Sequence, residues 1–423
     1  MGTKFNIILC LLYLGSLPAW AVATAPLPGA DVRELLVLAQ ERNPELATMR
    51  HEAAAVAERI GSSSALPDPV LRIQLQDFTN KESGAATTLV PSQVGSTYYR
   101  VMQPLPFWGK RGLRQEIAEA EASQAKGRTG ATWAELSEKI KSNFAQYYLV
   151  VNSRKLTQEI LELTQNLERV AKSRYATGLA PQQDVIRAQV EQTGMRRDLV
   201  MLETERHHSM ARLNSLLLRD PYAPLAEPQY LRALPAPSKL EFSALAERLR
   251  SQSPQLFSLD AQLAAADKSR DLTYKNRYPD LTLGVGATQV GNNIKMWELM
   301  VEFNIPLQQG ARRGQERDAE NMLAAARSRR EAAASQLLGE LAEFTAALDA
   351  ARRVEALTSS SLLPQAEASL QAAYVGYQNG RVDFATLLDA QRQILKAKLD
   401  VLNAQAQAQA SLAQIEKLLG EEL

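Results

Sequence analysis

Tyr175-Ala176-Thr177-Gly178, followed by Asp184-Val185-Ile186-Arg187-Ala188-Gln189, recurs as Tyr377-Gln378-Asn379-Gly380, followed by Thr386-Leu387-Leu388-Asp389-Ala390-Gln391. Tyrosine, glycine, alanine and glutamine all repeat at one offset of 202 residues. Outward at that offset, Pro104 pairs with Pro306, Lys110-Arg111 with Arg312-Arg313, and Gly112 with Gly314, with no gap needed. The chain is an internal duplication. Each tip lies between two long segments poor in helix breakers. Its glycine supplies the left-handed cap on which a helix ends, and Pro181 can open the next helix but cannot continue the previous one. Each copy therefore reads as a tight helical hairpin. Any two antiparallel helices need such a turn, but two like tips pointing the same way after equally long helices make a surface.

The spacing predicts long helices over 110–174 and 312–375, tips over 175–181 and 377–383, and return helices over 181–218 and 384–419. Some 65 helical residues reach roughly 100 Å, more than a compact globule of this chain length can hold. The return helices carry heptad-like stripes, Val185, Ala188, Met195, Leu199 and Leu202 in one and Leu388, Leu395, Leu399 and Leu402 in the other. Pro364 is expected to bend the second long helix.

Upstream of each long helix the period changes to two. Helical patterns from Asp31 to Ala65 and from Phe242 to Lys275 each run into a Pro-Asp pair, Pro67-Asp68 and Pro279-Asp280. Leu71, Ile73 and Leu75 then alternate with Arg72, Gln74 and Gln76; Trp297, Leu299, Val301 and Phe303 alternate with Glu298 and Glu302. Four strands are predicted, at about 70–78, 96–105, 281–289 and 297–306. A soluble antiparallel sheet alternates in the same way. Here each hairpin has its loop at one end and long helices leaving the other, which supplies no covering layer for an apolar face. In a membrane a sheet must close, and four strands are too few for the smallest known barrels of about eight. A membrane reading therefore requires a barrel shared between chains. The first repeat spans 22–218 and the second 241–423; the proline-rich stretch 219–240 reads as an extended linker.

The beginning of the chain carries Lys4, an apolar run from Ile7 to Leu17, and Ala19-Trp20-Ala21, the pattern of an export signal over 1–21 with cleavage after Ala21 or Ala23. Cys10, the only cysteine, falls inside that run behind Leu9, where a lipidation site would have a small residue. The remaining chain would lack thiols, disulfides and thiolate metal sites. Removing Lys4 from the 48 basic residues leaves them balanced against 47 acidic ones, so no nucleic-acid partner is expected.

The order helix, strand, strand, long helix, tip, helix, repeated once behind an export signal, closely resembles the TolC family of outer membrane efflux ducts over nearly the whole chain. The likeness rests on the paired Tyr-x-x-Gly tips, on Gln103-Pro104-Leu105-Pro106 and Asn304-Ile305-Pro306-Leu307, on Gly109-Lys110-Arg111-Gly112 and Ala311-Arg312-Arg313-Gly314, and on Leu362-Leu363-Pro364-Gln365. The resemblance implies a mainly α fold with a membrane β-barrel: a homotrimer with a shared barrel of twelve strands in outer membrane lipid and a tunnel of twelve helices crossing the periplasm. It also implies a periplasmic adaptor contacting the tips at Tyr175, Gly178, Tyr377 and Gly380, an inner-membrane pump of the resistance-nodulation-division type, and a passive duct. Leu71, Ile73, Leu75, Trp297, Leu299, Val301 and Phe303 would then face lipid. Asp184, Tyr377 and Asp389 match positions at the periplasmic mouth, and a contact between Asp184 and Tyr377 would hold it closed. Thr386 departs from the family pattern, standing where an aspartate is usual, which thins the expected carboxylate ring. Each aspartate also reads as an ordinary helix residue, near the positive end of the dipole for Asp184. The basic pairs Lys110-Arg111 and Arg312-Arg313 oppose the dipole at a helix start, which leaves a lumen-facing or membrane-interface position open beside the plainer reading as solvated residues. The exit motif Gln-Pro-Leu-Pro-x-x-Gly-Lys-Arg is most like the branch serving heavy-metal efflux pumps; export of drugs or of protein is the competing cargo reading.

No nucleophile with a spaced base, phosphate loop or metal-ligand cluster points to an enzyme or a cofactor. An exported adhesin-like helical fibre accounts for the helices but leaves the duplicated strands without a role.

Overall fold

The computed structural model describes residues 27–423 except 82, 83 and 85. The expected export signal and Cys10 lie outside the described residues. In the first repeat α1 (Val32–Arg42) and α2 (Pro44–Ser63) precede β1 (Val70–Gln76) and β2 (Ser96–Leu105), then α3 (Lys110–Ala176) and α4 (Gln182–Leu216). The second repeat runs α5 (Phe242–Gln252), α6 (Pro254–Lys275), β3 (Leu281–Val290), β4 (Asn293–Phe303), α7 (Gln309–Leu357), α8 (Leu363–Gln378) and α9 (Phe384–Leu419). Asn43 ends α1 and caps α2, its side chain accepting from the N–H groups of Glu45 and Leu46.

Several elements differ from the sequence reading. β1 stops at Gln76 because Asp77 adopts φ 49° and turns the chain. β4 starts earlier, at Asn293, since Gly291 (φ 57°) makes a tight hairpin, and it ends at Phe303 before Pro306, which has no N–H for a ladder. The helix expected over 312–375 is interrupted by a π-helical turn, Thr358–Leu362. Pro364 follows directly; it has no N–H for the carbonyl one turn back, and the widened turn accommodates its ring.

The four strands form one antiparallel sheet in the order β1-β2-β3-β4, so β2 and β3 join the repeats. Register places Leu71, Val101, Val285 and Leu299 in one row, and Ile73, Tyr99, Ala287 and Trp297 in the next, on the same face. That face is bare: Trp297 is 70% and Leu299 80% exposed. The opposite face carries Arg72, Arg100, Gly286 and Glu298 in a row, with Arg100 paired to Glu298 at 3.2 Å. Among the described residues the outer edges of β1 and β4 have no strand partner.

At the junction of sheet and bundle, Lys110 is buried, and its Nζ donates to Asp280 Oδ1 (2.8 Å) and to the Tyr278 carbonyl (3.0 Å). This corrects the solvated reading of that lysine; Asp280 of the second repeat compensates its desolvation. Phe107 donates its N–H to the same carboxylate and stacks on Tyr278 at 4.6 Å.

Midway along the bundle each repeat builds its own apolar core: Leu35, Ile140, Tyr147 and Leu213 in the first, and Leu245, Leu341, Leu412 and Ile415 in the second. Between them the buried Glu416 carboxylate accepts from Lys141 Nζ (2.9 Å), both terminal nitrogens of Arg232 (2.8 and 2.7 Å) and the Leu423 N–H (3.0 Å). Linker, α3 and chain end are thus fastened at one carboxylate. Towards the tips the repeats share cores, α3 and α4 interlocking with α8 and α9. Among the described residues no helix is long and apolar enough to cross a membrane.

Candidate functional site at the helix tips

The two tips close by the same hydrogen bonds. Leu179 N–H reaches the Arg174 carbonyl (2.7 Å) and Gly178 N–H that of Tyr175 (3.0 Å); Arg381 N–H reaches Gly376 (2.8 Å) and Gly380 N–H reaches Tyr377 (3.0 Å). Gly178 and Gly380 take φ 73° and 70°, the left-handed conformation such a cap requires. The next helices start differently. Pro181 precedes α4, whereas Asp383 caps α9 by accepting from the N–H and hydroxyl of Thr386. Thr386 is thereby committed to local capping.

The closed ends bring Asp184 and Tyr377 together. Asp184 lies in the first turn of α4 and is 8% exposed; Tyr377, in the last turn of α8, is 3% exposed. Tyr377 Oη donates to Asp184 Oδ2 at 3.2 Å. The ring packs against Phe384 at 5.2 Å and beneath the Arg174 guanidinium at 5.1 Å. Burial, then the Asp184 charge, pushes the phenol up to about 12, so it remains a proton donor throughout the physiological range. Arg174 also donates to the Gln378 and Leu179 carbonyls, tying the end of α3 to the end of α8.

Asp389 stands apart from this pair, exposed on α9 with Arg392 Nη1 at 3.3 Å. Its charge is partly offset by that neighbour. Of the two tip tyrosines, Tyr175 is about half exposed, whereas Tyr377 is buried by Phe384 and Arg174. Tyr377 is 3% exposed, so its ring offers little surface in this conformation. Gly178 and Gly380 remain at the apices. Leu71, Ile73, Leu75, Trp297, Leu299, Val301 and Phe303 lie on the bare sheet face.

Sequence reasoning missed Arg174 and the Glu191–Arg392 pair, both of which cross between repeats. The available signal was asymmetry. At the duplication offset Arg174 faces Gly376, Glu191 faces Gln393 and Val190 faces Arg392. Among the described residues no group of three or more His, Cys, Asp or Glu is placed to hold a metal ion.

The outer membrane efflux protein family model matches residues 35–217 and 245–421. The cobalt-zinc-cadmium resistance protein CzcC of Cupriavidus metallidurans is 22% identical over 400 residues, covering 91% of this chain and 88% of its own length. The outer membrane protein TolC of Vibrio cholerae is 22% identical over 420 residues, covering 92% and 90%. Among solved structures, CusC superposes with a TM-score of 0.77 at 17% identity, covering 92% of each chain. The open state of the Neisseria gonorrhoeae channel MtrE gives 0.72 at 18% identity, covering 93% of this chain and 89% of that one.

Proposed function

From the premise that the chain belongs to the outer membrane efflux protein family, we propose that three copies assemble into a passive exit duct running from the periplasm through the outer membrane. The observation that carries this reading is the sheet: a bare apolar face on four strands whose outer edges lack partners. In hydrocarbon unpaired strand edges cost several kcal/mol per group, so β1 of one copy pairs with β4 of the next and twelve strands close a barrel. Leu71, Ile73, Leu75, Trp297, Leu299, Val301 and Phe303 then face lipid, and the Arg72–Arg100–Glu298 row lines the lumen. Below the barrel the long helices of three chains enclose a tunnel. Its mouth is formed by the tips, where Tyr175, Gly178 and Gly380 meet a periplasmic adaptor coupled to an inner-membrane pump of the resistance-nodulation-division type.

Asp184 and Tyr377 form the latch of the mouth. Their bond links the α3–α4 hairpin to the α8–α9 hairpin, so widening the mouth by parting the hairpins breaks it. Asp389 contributes three exposed carboxylates, each offset by Arg392, and the mouth favours cations weakly. The cargo is heavy-metal cations, a reading supported by the relation to CzcC. The duct need not coordinate them, because selection falls to the pump.

The test is to extract the protein in detergent, measure its mass and record currents in a planar bilayer. The expected result is a detergent-dependent trimer forming discrete channels. A water-soluble rod with no channel activity supports the fibre instead. Deleting the gene should sensitise cells to cobalt, zinc or cadmium; unchanged metal tolerance with raised drug sensitivity would reassign the cargo.

A further inference from the structure

Two helical turns from Asp184 along α4, a second link joins the same two hairpins. Arg392 of α9 points its Nε at both carboxylate oxygens of Glu191, at 3.1 Å each, and its Nη2 lies 2.5 Å from Oε2. The remaining terminal nitrogen reaches Asp389 at 3.3 Å. The Glu191 side chain is 16% and that of Arg392 56% exposed. The pair lies outside the apolar core formed by Leu167, Val185, Phe384 and Leu388. Helix α4 packs mainly on α3, α9 is shared between α3, α7 and α8, and α4 meets α9 only along a narrow seam. Little else fastens α4 to α9 directly.

We propose that Glu191 and Arg392 form a second, ionic fastening of the mouth, acting as positioning residues that hold the closed arrangement together with Tyr377 and Asp184. The proposal rests on the duct reading above. The two fastenings differ in kind. The phenol bond is buried and feels little of the bulk electrolyte, whereas the ion pair has a half-exposed guanidinium and is screened by salt. High ionic strength therefore loosens the mouth even with the buried latch intact. Asp389 steadies Arg392 from its other side, which gives that carboxylate a role beyond lining the opening. A partly exposed pair of this geometry changes an equilibrium by up to about five-fold per chain, and three copies moving in concert multiply to about a hundred-fold.

The test is charge reversal in the full-length trimer, read as open probability in a planar bilayer at low and high salt. Glu191→Arg and Arg392→Glu, present in all three chains, should each shift the low-salt open-to-closed ratio by up to about a hundred-fold and flatten its salt dependence, and the double swap should restore both towards wild type. The neutral variants Glu191→Gln and Arg392→Gln should fall between, and they carry the test should a reversed charge disturb folding. Single variants that match wild type at both salt concentrations overturn the proposal while leaving the duct intact, as does a swap no better than its parents. A folded wild-type trimer with no conductance removes the duct reading, and this proposal falls with it.

Discussion

Replacing Tyr377 by phenylalanine removes one oxygen from a residue that is 3% exposed and leaves its ring packed between Phe384 and Arg174. The loss is confined to the bond to Asp184 Oδ2. A hydrogen bond to a charged group contributes about 1.5–3 kcal/mol, and the higher figure suits Asp184, left 92% buried without that donor. Per chain the closed state is then disfavoured by a factor of about 10–150, and by about 4.5–9 kcal/mol if three chains open together. The assay is single-channel recording of wild type beside Tyr377→Phe and Asp184→Ala at matched salt. Both variants should spend most of their time in a high-conductance state that wild type visits rarely. Correctly assembled variants with wild-type conductance and dwell times would refute the reasoning, because a bond that spans the two hairpins of a latch cannot vanish without shifting the equilibrium between its closed and open states.

Alkaline titration gives an independent readout of the same residue. The folded phenol is raised from 10 to about 12, so its contribution to stability is intact below pH 10 and lost as the pH climbs towards 12; Tyr377→Phe should lack that part of the decline in melting temperature. Glu168 shifts the other way, lowered to about 2 by hydrogen bonds from Lys172, Gln192 and Gln189. Its stabilisation is present above pH 4.5 and lost as the pH falls towards 2, and chemical denaturation of Glu168→Gln across that window should show a shallower slope than wild type. Glu416→Gln leaves the buried Lys141 short of a counter-charge and should cost about 3–5 kcal/mol; an unchanged unfolding midpoint would show that Glu422 suffices. Gly127→Ala places a methyl 2.9 Å from the Ser258 backbone, where α3 crosses α6. Overpacking there should cost about 1–3 kcal/mol in calorimetry, while Gly112→Ala, which meets nothing within 4 Å, should not.

Features that depend on near neighbours in the chain could be read in advance. The tips are legible because a helix ending on a left-handed glycine writes that requirement into Gly178 and Gly380. The alternation at Leu71–Ile73–Leu75 and Trp297–Leu299–Val301–Phe303 reflects the two faces of a strand, and the duplication at one offset ties the copies together before any coordinate is known. Asp184 and Tyr377 could be singled out only by resemblance to a family, since nothing local in either stretch names the other as its partner. Lys110 illustrates the opposite limit. A lysine opening a helix after Gly109 looks like a solvated charge, and its burial depends on Asp280 and Tyr278, which arrive 170 and 168 residues later.

The sequence alone thus determined the repeated unit, its long helices, and the two-faced character of its strands, since each follows from backbone conformation or side-chain periodicity over a few residues. Tertiary structure alone decided which charges meet. Arg174 on the Gln378 carbonyl, Arg392 on Glu191 and Lys141 with Arg232 on Glu416 all join segments whose separation along the chain carries no periodic signal. An ion pair needs only that two side chains converge within about 4 Å, and that convergence is a property of how the helices pack rather than of the order in which their residues are written.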